Sequence, residues 1–225
     1  IGSKQKKIFV FGSNLKSIAA HKEFKPNISR DSLSSYLRFG YVPTPNSIYE
    51  GIMKLNPGSE LLVSIPTLSM KISKYWDFDA VLKRQANVVD QFDIEAKKNK
   101  MRRLIEEAVK GQMVSDVPLG ALLSGGIDSS TIVSIMQAFS NKPVNTFSIG
   151  FDQPEYNEAG FASDIAKHLG TNHHELFISS SDMLKTVDRI ADAYDEPFSD
   201  SSQIPTMLVS QLARKNVKVV LTGDG

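Results

Sequence analysis

The sequence predicts an α/β protein, a parallel sheet with helices on both faces, preceded by a β-rich N-terminal segment. Three observations carry this. In the second half, short apolar runs alternate with stretches of helical spacing, which is how strand–helix–strand units read. Before about residue 80 the signals are short and strand-forming, separated by turn residues. Between these patterns' main motifs, "ALLSGGIDSST" (Ala121–Thr131) runs from an apolar strand through two glycines into a hydroxyl-rich helix start. In parallel sheets, ligands bind beyond the carboxyl ends of the strands, where such joins lie.

In order along the chain, "KIFVF" (Lys7–Phe11) reads as a strand and "PNISRDSLSSYLRFG" as a short capped helix. "LNPGSELLVSI" reads as a turn feeding a strand, with Asn56, Pro57 and Gly58 supplying the turn. "MKISKYW" alternates apolar and polar side chains as a half-exposed strand does. From Asp77 to about Lys100 the chain is polar and charged, a linker that becomes the first turns of a helix running to Val114. The expected division is 1–80, 81–100 and 101–225.

Beyond it, "LGALLS" reads as a strand, "SSTIVSIMQAF" as a helix, "VNTFSIGF" as a strand, and "EAGFASDIAKHLG" as a helix ending on Gly170. "HHELFI" is a further strand. "SSDMLKTVDRIADAY" has a serine cap and Met183, Leu184, Val187, Ile190 and Ala191 at helical spacing. "IPTMLVSQLARKN" is a helix and "VKVVLTG" a final buried strand.

Composition narrows the function. The 225 residues allow one large domain or two smaller ones, and the change of pattern favours two. Net charge is +1 without a Lys/Arg block, so the footprint of a nucleic-acid or membrane-surface binder is absent and small-molecule chemistry is favoured. With no cysteine, disulfides, thiolate metal sites and a cysteine nucleophile on this chain are excluded. No apolar run approaches the roughly 20 residues that cross a bilayer, and no signal peptide is visible, so a cytoplasmic location is expected. "NIS" at Asn27 matches a glycosylation sequon by chance on that view. The chain opens on Ile1 and closes on "LTGDG", both of which read as cut ends.

The chemistry of the loop follows from its residue types. A helix start offers unpaired N–H groups and the positive end of the helix dipole, both suited to phosphate. Gly125 and Gly126 let backbone approach closely, and Ser124, Ser129 and Ser130 add hydroxyl donors. Asp128 would repel an anion unless a cation lay between them, so it suggests Mg²⁺ bridging to pyrophosphate. No lysine follows the glycines, so this is not a Walker loop. The same residue types also make a serviceable strand-to-helix turn and cap.

Ser124–Ser129 match SGGxDS, which resembles the pyrophosphate loop of ATP pyrophosphatases. "VPLGALLSGGIDSS", "NTFSIGF", "DEPFSDSSQIPT" and "VKVVLTGDG" come in the order and approximate spacing of the synthetase domain of glutamine-dependent asparagine synthetases. "FGYVPTPNSIYEGIMKLNPGSELLV" and "KYWDF" are similar to the tail of that family's glutaminase domain. The resemblance thus covers nearly the whole chain. It implies an adenine nucleotide alpha hydrolase-like sheet after the remnant of an N-terminal-nucleophile glutaminase domain.

The resemblance also implies a reaction. Glutamine supplies ammonia, ATP with Mg²⁺ converts aspartate to β-aspartyl-AMP, and ammonia displaces AMP to give asparagine. Ser124, Gly125, Gly126, Asp128, Ser129 and Ser130 would hold pyrophosphate and metal. Leu123 and Ile149 would flank the nucleotide, Thr222 and Gly223 would lie at its AMP end, and Asp224 would serve the ammonia step, where a turn residue is the alternative. The cysteine nucleophile and the later part of the synthetase domain are absent, so the segment alone is expected to be inactive. Oligomeric state is not legible, and a homodimer of the full-length parent is entertained. Two alternatives stand beside this: a relative that amidates another carboxylate or closes a β-lactam ring, and a non-catalytic nucleotide-binding module.

Other conspicuous residues receive plainer readings. His168, His173 and His174 lack the spacing of a zinc site. Asp195, Glu196 and Asp200 in "DEPFSD" are read as capping and loop-packing residues, and Phe147 and Phe151 as core. Asn157 departs from the family's usual aspartate, which weakens any role for its loop.

Overall fold

The computed structural model describes residues 2–3, 6–85, 93–152 and 158–224. Asn157 and residues 86–92 of the expected linker lie outside these. The chain divides into two compact units, one of Ile1–Gln91 with Ala191–Asp200, the other of Phe92–Ile190 with Ser201–Gly225.

Among its described residues the first unit holds two small antiparallel strand pairs, three helices and most of a short fourth one, Ile190–Ala193. Strands β1 (Gly2–Ser3) and β2 (Lys6–Lys7) pair for two residues only. The strand expected over Lys7–Phe11 therefore stops at Lys7: a strand persists only where a ladder partner exists, and among the described residues none lies beside Ile8–Phe11. Helix α1 (Leu15–Ala19) is capped by the Asn14 side chain, which accepts from Ser17 N at 2.9 Å. Helix α2 (Arg30–Phe39) begins at the Ser29 cap and ends on Gly40, whose φ of 79° is the left-handed stop that glycine adopts without a Cβ clash. Strands β3 (Ser59–Val63) and β4 (Met70–Lys74) pair in register Leu61↔Ile72, which puts Leu61, Val63, Met70 and Ile72 on one face and Glu60, Leu62, Lys71 and Ser73 on the other. Within the stretch read as polar linker, Phe78–Gln85 forms helix α3.

The segment Ala191–Asp200 is held in this first unit by backbone and carboxylate hydrogen bonds. Asp195 accepts from Leu15 N at 2.6 Å and Glu196 from Ile48 N at 2.6 Å, while Ser199 N donates to Gly40 O at 2.6 Å. Glu196 also pairs with Lys54, whose ammonium reaches Val42 O. Capping and loop packing describe Asp195 and Glu196, with a helix start far away in sequence rather than the helix that follows them.

The second unit is a four-stranded parallel sheet in the order β7-β6-β5-β8, entered through helix α4 (Ile94–Gln112). Strand β5 (Leu119–Leu122) leads to helix α5 (Ile127–Ala138), and β6 (Asn145–Phe151) to α6 (Ala159–Leu169), closed by Gly170. Strand β7 (Asn172–Ile178) and helices α7 (Ser180–Val187), α8 (Ile190–Ala193) and α9 (Gln203–Arg214) follow, and β8 (Val219–Leu221) returns beside β5. Helices cover both faces. Ala121 and Leu123 pack under Val109, Val133, Met136, Ala162 and Ala166 of α4, α5 and α6. Phe147, with Leu122 and Ile149, packs under Val209 and Ala213 of α9.

Two expectations change here. The single helix read over "SSDMLKTVDRIADAY" breaks after Val187, where Arg189 N closes back on Thr186 O at 3.0 Å as a tighter turn. The chain turns there because residues from Ala191 on pack with the other unit. Among the described residues β8 lies at the edge of the sheet with Val219 43% exposed, so the final strand is not buried throughout as expected. Among the described residues no helix is long and apolar enough to cross a membrane.

Candidate functional site

At the carboxyl end of β5, Leu123 N donates to Phe147 O at 2.9 Å, extending the β5–β6 pairing into the loop. Ser124–Gly126 then turn the chain into α5. Gly125 has φ +86°, and a Cβ there would stand 2.8 Å from Phe161 Cβ and 2.9 Å from Ala162 N, so both conformation and space demand glycine. Gly126 occupies the N-cap of α5 and supplies no side-chain cap, which leaves first-turn N–H groups of a 12-residue helix without one. That is where an anion is favoured.

The serine hydroxyls are spent differently from what the sequence suggested. Ser129 Oγ lies 3.0 Å from Ser124 Oγ, accepts from Ser124 N at 3.2 Å and reaches Gly126 O at 3.3 Å. Ser130 Oγ donates to Gly126 O at 2.6 Å. Both therefore brace the loop, as does Gly126 N, which donates to Ser124 Oγ at 3.4 Å.

The loop after β8 comes to the same place. A Cβ on Gly223 would lie 2.5 Å from Ser129 N and 2.8 Å from Asp128 C, so the backbone of Gly223 rests on the first turn of α5. Thr222 and Asp224 flank that contact, and Asp224 N donates to Thr222 Oγ1 at 3.4 Å. The sheet order makes this convergence necessary, because β8 pairs in parallel with β5 and both end at the same edge.

Beside the loop, a cleft is lined by Leu122, Leu123, Ser124, Ile149, Phe151 and Thr206, among others. Leu123, just past β5, and Ile149, on the neighbouring β6, both contribute to this lining. Phe147 is fully buried, as a core residue is, while Phe151 is only half-buried and lines the cleft. The reading of Phe151 as core therefore changes: it is the last residue of β6, and its side chain is not enclosed as that of Phe147 is.

Asp128 is in the first turn of α5. Among the described residues no group of three or more His, Cys, Asp or Glu side chains could hold a metal. Any Mg²⁺ that Asp128 held would have to take most of its ligands from phosphates and water. The histidines do not converge: His168 is exposed on α6, His173 bonds Thr146 and Ser148, and His174 stacks on Phe147 from the other face of β7 at 5.2 Å.

The comparisons with known proteins bear on this site. The family model described as asparagine synthase matches residues 100–225, and that of the glutamine amidotransferase domain matches 1–76. The chain is 38% identical to the putative asparagine synthetase [glutamine-hydrolyzing] 2 of Methanocaldococcus jannaschii over 96% of its own length and 41% of that protein. It is 32% identical to asparagine synthetase [glutamine-hydrolyzing] 1 of Bacillus subtilis over 88% of its length and 30% of that protein. It therefore spans well under half the length of these curated relatives. Among solved structures, NMN synthetase from Francisella tularensis aligns with a TM-score of 0.39 and 16% identity, over 60% of this chain and 56% of that one. With the family match running through the Ser124–Gly126 loop, the strands lining the cleft and the loop after β8, the chain belongs to the asparagine synthase family.

Proposed function

We propose that this chain carries the nucleotide-binding half of an ATP-dependent synthetase that amidates the side chain of aspartate. One observation carries the reading: the Gly125–Gly126 loop and the side-chain-uncapped start of α5 meet Gly223, next to Asp224, at the edge of an apolar cleft. Such a place takes adenine in the cleft and pyrophosphate on the helix start.

In the first step the aspartate carboxylate oxygen attacks the α-phosphorus of ATP, the bond to the β-phosphate oxygen breaks, and pyrophosphate leaves. The N–H of Gly125 and those of the first turn of α5 stabilise the charge that builds on the leaving group. Leu123 and Ile149 flank the nucleotide through their backbone groups, Ser129 and Ser130 brace the loop, and Thr222 and Gly223 border the AMP end. Asp128 would hold Mg²⁺, which supplies charge neutralisation on the phosphates. In the second step ammonia attacks the β-carbonyl carbon, the bond to AMP breaks, and Asp224 accepts the proton released by the nitrogen.

The family matches support a glutaminase-like part over 1–80, a connection over 81–100 and a synthetase part from 101, with ammonia drawn from glutamine. The test separates the two steps in the full-length protein. Asp224→Ala is expected to keep most aspartate-dependent pyrophosphate release while asparagine formation falls by about 10²-fold. Equal loss of both would remove Asp224 from the ammonia step.

A further inference from the structure

On the face of the sheet covered by α6, four polar side chains form a chain from one end of β6 toward the cleft. Thr171 Oγ1 lies 2.9 Å from Thr146 Oγ1, Thr146 Oγ1 lies 2.9 Å from His173 Nδ1, and His173 Nε2 lies 3.1 Å from Ser148 Oγ. Thr146 and Ser148 are buried, at 0% and 4% exposure. The register explains the alignment: Thr146 pairs with His173 and Ser148 with Glu175, so alternate residues of β6 and β7 share this face. Ser148 also belongs to the lining of the cleft, immediately before Ile149.

We infer that His173 is a positioning residue for the nucleotide cleft: by holding Ser148 it fixes the end of β6 that forms the cleft wall, and it does so as a neutral imidazole. The inference rests on the reading of the cleft as a nucleotide site. A neutral ring offers one donor and one acceptor, which the hydroxyls of Thr146 and Ser148 complement in either tautomer. A protonated ring offers two donors. The Glu175 carboxylate, 3.4 Å from Nε2, then becomes the stronger acceptor and competes with Ser148.

The surroundings favour the neutral form. Burial pushes the His173 imidazole below the ordinary histidine range, and Glu175 opposes that shift without overturning it, while His174 adds to it. Among the described residues, no charged group other than Glu175 and His174 acts on the ring. Strand β6 presents the two hydroxyls, and α6 buries Ala162 and Ala166 while its Asp164 and Lys167 side chains are 81% and 75% exposed. Helix α9 packs on the opposite face.

The experiment measures KM for ATP and kcat of pyrophosphate release between about pH 5.5 and 8.5 in the full-length protein, around the ordinary histidine value of about 6.5. In the wild type, KM for ATP is expected to rise on the acid side of that value. His173→Gln, which offers a donor and an acceptor but does not titrate, should lose this acid limb; Ser148→Ala should raise KM about 5- to 10-fold with kcat little changed. The double variant should be no worse than Ser148→Ala alone, because both act on one contact. An acid limb unchanged in His173→Gln overturns the inference. If that variant fails to fold, wild-type protein suffices: saturation with a non-hydrolysable ATP analogue should move the NMR titration of His173 to lower pH by linkage, and an unmoved titration overturns the inference. No ATP-dependent pyrophosphate release by the wild type at any pH would instead sink the nucleotide reading, and this inference with it.

Discussion

Replacing Gly223 by alanine adds one methyl group where two segments of backbone touch. The new Cβ would sit 2.5 Å from Ser129 N, 2.8 Å from Asp128 C and 2.9 Å from Ser129 Cα, all main-chain atoms of the first turn of α5. That turn is tied by Ser130 N to Gly126 O at 3.1 Å and by the Ser124–Ser129 hydrogen bonds, so it does not yield cheaply. Ordinary carbon contact begins near 3.4 Å, so the loop carrying Thr222 and Asp224 must withdraw by about 0.9 Å. A displacement of about 1 Å at a reacting centre costs roughly 10²-fold in rate, or ~2.7 kcal/mol of transition-state stabilisation. The assay is kcat/KM for aspartate-dependent pyrophosphate release by the full-length protein, beside thermal unfolding, where overpacking of this kind costs about 1–3 kcal/mol. Gly111→Ala is the control: its Cβ meets nothing within 4 Å, and alanine late in α4 should stabilise by about 0.5–1 kcal/mol. A Gly223→Ala enzyme within threefold of wild type would refute the close approach of the loop after β8 to the first turn of α5.

Two further outcomes follow from the same contacts. Glu196→Gln removes the charge that Lys54 faces while leaving an acceptor for Ile48 N, and because Glu196 is only 16% exposed it should destabilise by about 1–2 kcal/mol, read as a drop in urea midpoint. The depressed pKa of His173 makes the unfolded chain take up its proton first as pH falls, so stability should decline on acidification through the ordinary histidine range, near 6.5. Above that range this group contributes no slope, and His173→Gln should flatten the acid side of the profile; an unchanged slope would contradict the burial of a neutral ring.

How far the sequence spoke depends on the range of the interaction. The turn at Ser124–Gly126, the αL stops at Gly40 and Gly170 and the serine caps at Ser29 and Ser179 are local, so residue type alone announces them. Helix α3 was hidden because its charged surface and mostly exposed apolar side chains resemble a linker. The partners of Asp195 and Glu196, at Leu15, Ile48 and Lys54, are distant in sequence, and no local pattern names them. The roles of Ser129 and Ser130 were half legible: the motif marks them, but only coordinates show that their hydroxyls brace the loop. The His173 network has a visible signal in the sequence, since Thr146 and Ser148 on one strand and His173 and Glu175 on the next alternate in step, but their pairing is set only by the strand register.

The central claim is that the loop before α5 takes the pyrophosphate end of ATP for the adenylation of aspartate. The most direct measurement is pyrophosphate release from Mg·ATP by the full-length protein, with ammonia supplied directly, in the presence and absence of aspartate and beside Asp128→Ala. The account predicts aspartate-dependent release matched by equal AMP and asparagine, abolished in Asp128→Ala with the fold retained. Release that ignores aspartate, requires another carboxylate, or persists in Asp128→Ala would contradict it.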